Sequence, residues 1–178
     1  MFYALSLLTG ILISVMVAFN GGLTAQYGIY SATVIIHIVG LCLISAVVLF
    51  KREPVFAQRY AWFLYLGGAI GVMTTVFNNF AFGRISVSAI LALGLLGQST
   101  AGIVIDQFGL FQMPRHPFTK QKLIGLSLIL AGIASMINNF EIVALAVSFI
   151  AGVNIVLSRT FNAKLADVTS VRVSTFFN

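Results

Sequence analysis

The chain has 178 residues, 60% of them hydrophobic and 8% charged, with a mean hydropathy of +1.05 and a formal net charge of +6. Soluble domains carry roughly 25% charged residues, so this composition excludes a soluble enzyme and a disordered tail, and a single cysteine, Cys42, excludes a disulfide scaffold. The excess of Lys and Arg does not signal nucleic acid, because no basic patch is interleaved with stacking aromatics and membrane proteins use these residues to set orientation.

Charge-free stretches run from Met1 to Phe50, Tyr60 to Gly83, Ile85 to Ile105, Leu123 to Phe140 and Ile142 to Ser158. A spanning helix needs roughly 20 apolar residues, and the strands of a membrane barrel would alternate apolar with polar instead. The chain therefore reads as an all-α, polytopic helical membrane protein. The first stretch, split at Gly21-Gly22 and Tyr27-Gly28, gives spans from Phe2 to Asn20 and from Ser31 to Phe50. Ser6, Gly10, Ser14, Ala18 and Gly22 form a small-residue stripe along the first span, a pattern that lets helices approach closely. Asn20, at the loop-side end of that span, suits a helix terminus or a substrate contact. His37 in the second span, a candidate for the substrate cavity, either bonds a neighbour or titrates near neutral pH and so couples protons.

The third span, Ala61 to Phe82, begins beside an aromatic belt of Tyr60, Trp62 and Tyr65, carries Gly67 and Gly71 as a second packing stripe, and holds Asn78 and Asn79 late in its length. In the fourth, Val87 to Ile105, Gln98 lies about halfway along, where an amide must face protein or water. The neighbouring Gly94, Gly97 and Gly102 could interrupt the helix and free backbone carbonyls for a substrate. Asp106 follows at the helix C-terminus, where an acid opposes the dipole and calls for a partner; Arg115, across the loop, is the expected one, as a clamp or as a gating and coupling pair. The fifth span runs from Leu123 to Asn138, with Thr119 as its N-cap, and the sixth from Ile142 to Ser158, with Ala144, Ser148 and Gly152 as a third packing stripe. A seventh apolar segment starts near Val173.

With alternating spans, Lys51, Arg52, Arg59, Arg115, Lys120, Lys122, Arg159 and Lys164 fall on the N-terminal side and Arg84 alone on the other, which predicts a cytoplasmic N-terminus. Sliding the chain by 142 residues lays Ser6, Gly10, Ile13, Phe19, Asn20, Leu23 and Thr33 on Ser148, Gly152, Ile155, Phe161, Asn162, Leu165 and Thr175. Five spans separate the copies, so the second enters the membrane from the opposite side. The charges follow: Arg159, Lys164 and Arg172 stand where the first copy has Val17, Gly22 and Tyr30. Inverted repeats of this kind mark transporters with a substrate site at the repeat interface. Residues 1–141 form the first five-helix repeat and 142–178 the first helix and truncated start of a second, which needs about a hundred further residues to match the first. Asn162 shares the helix-end or substrate-contact reading of its mate Asn20.

The stretch from Gly97-Gln98 through Asp106-Gln107-Phe108-Gly109-Leu110-Phe111 to Pro114-Arg115-His116-Pro117 is similar to the signature of the YdcZ family of the drug/metabolite transporter superfamily. The resemblance implies five-helix units, paired or fused into ten spans, in a bacterial inner membrane, moving a small molecule by alternating access. Related small multidrug exporters carry a Glu in the first helix, and here that span has no acid. No metal cluster, activated nucleophile or phosphate loop is present, so no cofactor, metal or catalytic residue is expected. The expected partners are the bilayer, an unidentified small organic solute, and a second half-unit or a second copy of the chain. The alternative reading is a non-transporting half-unit that serves as a scaffold.

Overall fold

The computed structural model describes residues 2–55, 59–136 and 141–178, with the side chains of Phe2 and Gln112 excepted. Its helices are α1 (Phe2–Tyr27), α2 (Ile29–Lys51), α3 (Leu66–Ala81), α4 (Val87–Phe108), α5 (Lys120–Met136), α6 (Ile142–Val168) and α7 (Val171–Phe177), with short 3-10 turns at Trp62–Tyr65 and Leu110–Gln112. There is no strand among the described residues, only an isolated bridge between Phe82 and Ile85. The all-α polytopic class holds. Five helical segments, Tyr3–Tyr27, Ile29–Lys51, Trp62–Ala81, Val87–Phe108 and Ile142–Val168, are long and apolar enough to cross a bilayer. The fifth expected span is described as the 17-residue α5, and its expected end at Asn138 lies outside the described residues.

Two helices run past the ends expected of them. α1 continues through Asn20 to Tyr27, because Gly21 breaks nothing: it lies so close under the Phe82 ring that a Cβ there would sit 2.0 Å from the ring carbons. α6 continues through Arg159 and Lys164 to Val168, so these cations are helical and not on a loop. A charge can end an apolar run without ending a helix, since Arg and Lys are good helix formers. Asn20 and Asn162 are therefore interior helical residues and not caps. The true breaks are sharper. Gly28 alone separates α1 from α2, at a φ of +80° that L side chains rarely adopt, and Thr169-Ser170 separates α6 from α7. Gly28 and Ser170 are themselves 142 residues apart, and the repeat mates Thr33 and Thr175 each bond the carbonyl four residues back, Ile29 at 2.8 Å and Val171 at 2.7 Å.

α6 is the central helix, packed broadly on α3 and α4. Small residues make this possible: Ala81, Ala89, Ala144, Ser148 and Ala151 are almost wholly buried, and Ile90 and Leu165 are the largest side chains sealed inside. A Cβ on Gly97 would meet the Phe149 carbonyl oxygen at 2.1 Å, and one on Gly152 the Gly94 carbonyl oxygen at the same distance. Gly97 and Gly152 are thus packing residues, while a Cβ on Gly94 would meet nothing within 4 Å; α4 is continuous, and the expected helix interruption is absent. Gly67 closes the α3–α6 crossing: its carbonyl accepts from Ser158 Oγ at 2.8 Å, and a Cβ there would meet Asn162 Oδ1 at 2.0 Å. Gly71 lies one turn on, facing Ser158 and Asn178. The α1 stripe behaves differently. Ser6, Gly10 and Ser14 are exposed, and nothing lies within 4 Å of a Cβ on Gly10. Large apolar side chains of α1, α2 and α5, such as Leu7, Phe19, Leu43 and Leu128, are also exposed, as a lipid-facing surface requires.

The ends are tied by polar contacts. Ser86 caps α4 by accepting from the Ala89 N–H at 3.2 Å, and Gly109 ends it in the left-handed conformation. Arg84 stacks on Phe80 and pairs with Glu141 at 3.8 Å. At the opposite end of the bundle, the Glu53 carboxylate accepts from Ser170 Oγ and from the Arg172 guanidinium, joining the end of α2 to the start of α7. The Ser170 hydroxyl, and then Arg172, hold the Glu53 carboxyl below its ordinary range. A folded-state pKa lower than the unfolded one contributes stability at higher pH that is lost as pH falls through the folded value. Glu53→Gln should thus lower the melting temperature in detergent at neutral pH, and the gap from wild type should close on acidification below the carboxylate range. A gap constant with pH would dismiss the clamp.

Candidate functional site

Four helices each turn one face toward a common space. The residues repeat at three, four and seven positions, the spacing of one helical face: Ile13, Met16, Val17 and Asn20 on α1; Gly71, Thr74, Thr75 and Asn78 on α3; Ile90, Leu91, Gly94 and Gln98 on α4; Ile155, Ser158, Arg159 and Asn162 on α6. They line a half-open cavity of about 320 Å³, reached also by Asn79 and Asn178. The space is two-toned. Ile13, Met16, Val17, Ile90, Leu91 and Ile155 supply apolar surface, while Asn20, Asn78, Asn162, Gln98 and Arg159 supply polar groups. Such a mixture is what a small-molecule site requires, with area for an organic body and a few groups to orient it.

The polar groups are ordered by hydrogen bonds. Gln98 Nε2 donates to the Gly94 carbonyl at 3.3 Å, and its Oε1 accepts from Arg159 Nη1 at 3.3 Å. Asn162 Nδ2 donates to Asn178 Oδ1 at 2.6 Å and to Ser158 Oγ at 3.3 Å, and Ser174 Oγ donates to the Asn162 carbonyl at 2.7 Å. Asn79, 3% exposed, donates from Nδ2 to Thr33 Oγ1 at 3.2 Å and so braces α3 against α2. Asn78, next to it, faces the cavity.

Of the residues singled out from the sequence, Gln98, Asn20, Asn78 and Asn162 are brought together here. His37 is not: it sits on α2, its Nδ1 is 2.8 Å from the Thr33 carbonyl oxygen of its own helix, and it does not line this cavity. Asp106 and Arg115 also lie apart, and they do not pair with each other. Asp106 binds Lys122 Nζ at 2.9 Å, linking α4 to the first turn of α5. The reason is the path of the intervening loop. The His116 N–H donates to the Asp106 carbonyl at 2.9 Å, the Phe118 N–H to Gln107 Oε1 at 2.8 Å, and Arg115 folds over Gly109, so Lys122 alone faces the carboxylate. Both partners are partly exposed, and such a pair contributes about 0–1 kcal/mol. The reading from sequence missed Thr74, Thr75, Ser158 and Arg159. The helical spacing Ser158-x3-Asn162, continued to Ile155 and Arg159, was the available signal, hidden by ending the sixth span at its first charge.

The family model described as "Putative inner membrane exporter, YdcZ" matches residues 1–135. The chain belongs to the YdcZ family. It is accordingly a multi-pass protein of a membrane transporter family, and the match spans α1 to the end of α5, leaving α6 and its cavity residues beyond it. No curated protein and no solved structure matches the chain.

Proposed function

We propose that this YdcZ-family protein moves a small organic solute across a bacterial inner membrane by alternating access, and that the cavity between α1, α3, α4 and α6 is where the solute binds. The observation that carries this is the cavity itself: a space of about 320 Å³ lined by both apolar side chains and amides, to which the repeat mates Asn20 and Asn162 both contribute. The matched helix breaks at Gly28 and Ser170 support reading residues 1–141 as one unit and 142–178 as the start of its inverted copy. The exposed Ser6–Gly10–Ser14 face is the side on which a second unit would sit, contributed by further chain, another half-unit or a second copy. Cytoplasmic placement of the N-terminus belongs to the same reading, from the Lys and Arg of the α2–α3 and α4–α5 connections.

Accessibility tests the mechanism. In sealed vesicles carrying the Cys42→Ser background, a cysteine introduced as Asn78→Cys should react with an impermeant maleimide from both sides of the membrane, in separate experiments. Reaction from one side only would rule out alternating access at this cavity.

A further inference from the structure

Arg159 lies 17 residues into a 27-residue helix that is about 40 Å long, which puts its Cα some 25 Å from one end and about 14 Å from the other. Its side chain is exposed, and a guanidinium on an otherwise apolar helix is tolerated where it faces water or a polar partner. Arg159 faces the cavity, and the bond it makes there is to a neutral acceptor, Gln98 Oε1. The sequence holds four carboxylates in all. Glu53 is taken by Arg172, Asp106 by Lys122 and Glu141 by Arg84, while Asp167 is two turns further along α6. No Asp or Glu side chain lines the cavity among the described residues. The site thus offers one cationic side chain, with the Asn78 and Asn162 amides and the apolar Ile13, Val17 and Leu91 in the same lining, and no acidic side chain.

We infer that the solute is a small organic anion, a monocarboxylate with an apolar body, whose carboxylate pairs with Arg159 while its body lies against Ile13, Val17 and Leu91. Charge-assisted bonds to a guanidinium are stronger than neutral ones, and the planar fork matches a carboxylate in shape. The inference rests on reading the cavity as the solute site, and it assigns that site's chemical class from a helix outside the family match.

The test uses the purified 178-residue chain in detergent, with butyrate and benzoate as probes and butyramide and benzamide as neutral counterparts. The carboxylates should raise the melting temperature and the amides should not. Arg159→Gln should weaken carboxylate binding at least tenfold, and Arg159→Lys, which keeps the charge without the fork, should weaken it less. If Arg159→Gln fails to fold, the wild-type comparison of acid with amide and the Arg159→Lys variant decide. Equal stabilisation by amides, a carboxylate shift that survives Arg159→Gln, or no shift by either carboxylate overturns the inference. Flux of a neutral or cationic solute in proteoliposomes, unchanged by Arg159→Gln, overturns it while leaving transport intact. Charge-selective binding without flux of any solute upholds the site and removes the transport reading.

Discussion

Gly152→Ala should destabilise the protein by about 1–3 kcal/mol, the range for overpacking a tight core, and should lower its melting temperature in detergent accordingly. The added methyl would stand 2.1 Å from the Gly94 carbonyl oxygen, and that atom belongs to a helical backbone that cannot rotate aside. The only relief is to separate α4 from α6, which also pulls Gly97 from the Phe149 carbonyl and opens one side of the cavity. The repeat mate is the control. Gly10→Ala places its methyl where nothing lies within 4 Å, and replacing a helical glycine by alanine stabilises by about 0.5–1 kcal/mol. Two copies of one sequence position should thus respond with opposite signs. Equal losses at the two sites would show that the α4–α6 crossing is not the tight contact described.

The second pair of repeat mates separates stability from function. Asn162→Leu removes the donor to the exposed Asn178 Oδ1 and to the buried Ser158 Oγ, and should cost about 0.5–1.5 kcal/mol. Asn20→Leu removes an amide whose side chain makes no hydrogen bond among the described residues, so the stability should stay within about 0.5 kcal/mol of wild type. Both side chains line the cavity, so both variants should reduce flux in proteoliposomes by tenfold or more. Normal flux with Asn20→Leu would remove α1 from the solute path. A stability loss at Asn20 equal to that at Asn162 would return both residues to a purely structural role.

The existence and number of the helices were legible because apolar length and charge spacing are imposed by the bilayer itself. Their ends were less so. Charge was read as the membrane boundary, yet Arg159 and Lys164 extend α6, and Gly21 was read as a break when it is the flat spot on which Phe82 rests. The partner of Asp106 was missed because the choice between Arg115 and Lys122 depends on how the loop folds back through His116 and Phe118, which no spacing encodes. Small-residue stripes announce a capacity for close packing, not a neighbour: the same Ser-x3-Gly pattern is sealed at Ser148 and open at Ser6. Gln98, Asn20, Asn78 and Asn162 could be picked out singly as costly amides, but their convergence depends on helix rotations that only packing sets.

The Gly28 junction has a mechanical side. α1 is a 26-residue rod that touches the bundle mainly through its second half, and one residue joins it to α2. Rotation about the two torsions of that glycine swings the rod as a lever, and the 26 residues on one side of the pivot convert a few degrees at Gly28 into several ångströms at the far end. The cavity wall made by Ile13, Val17 and Asn20 lies about 12 to 22 Å along the rod from that pivot. A swing about Gly28 would move the α1 N-terminus a little under twice as far as Ile13, so a label placed there is the most sensitive reporter of any displacement of this wall.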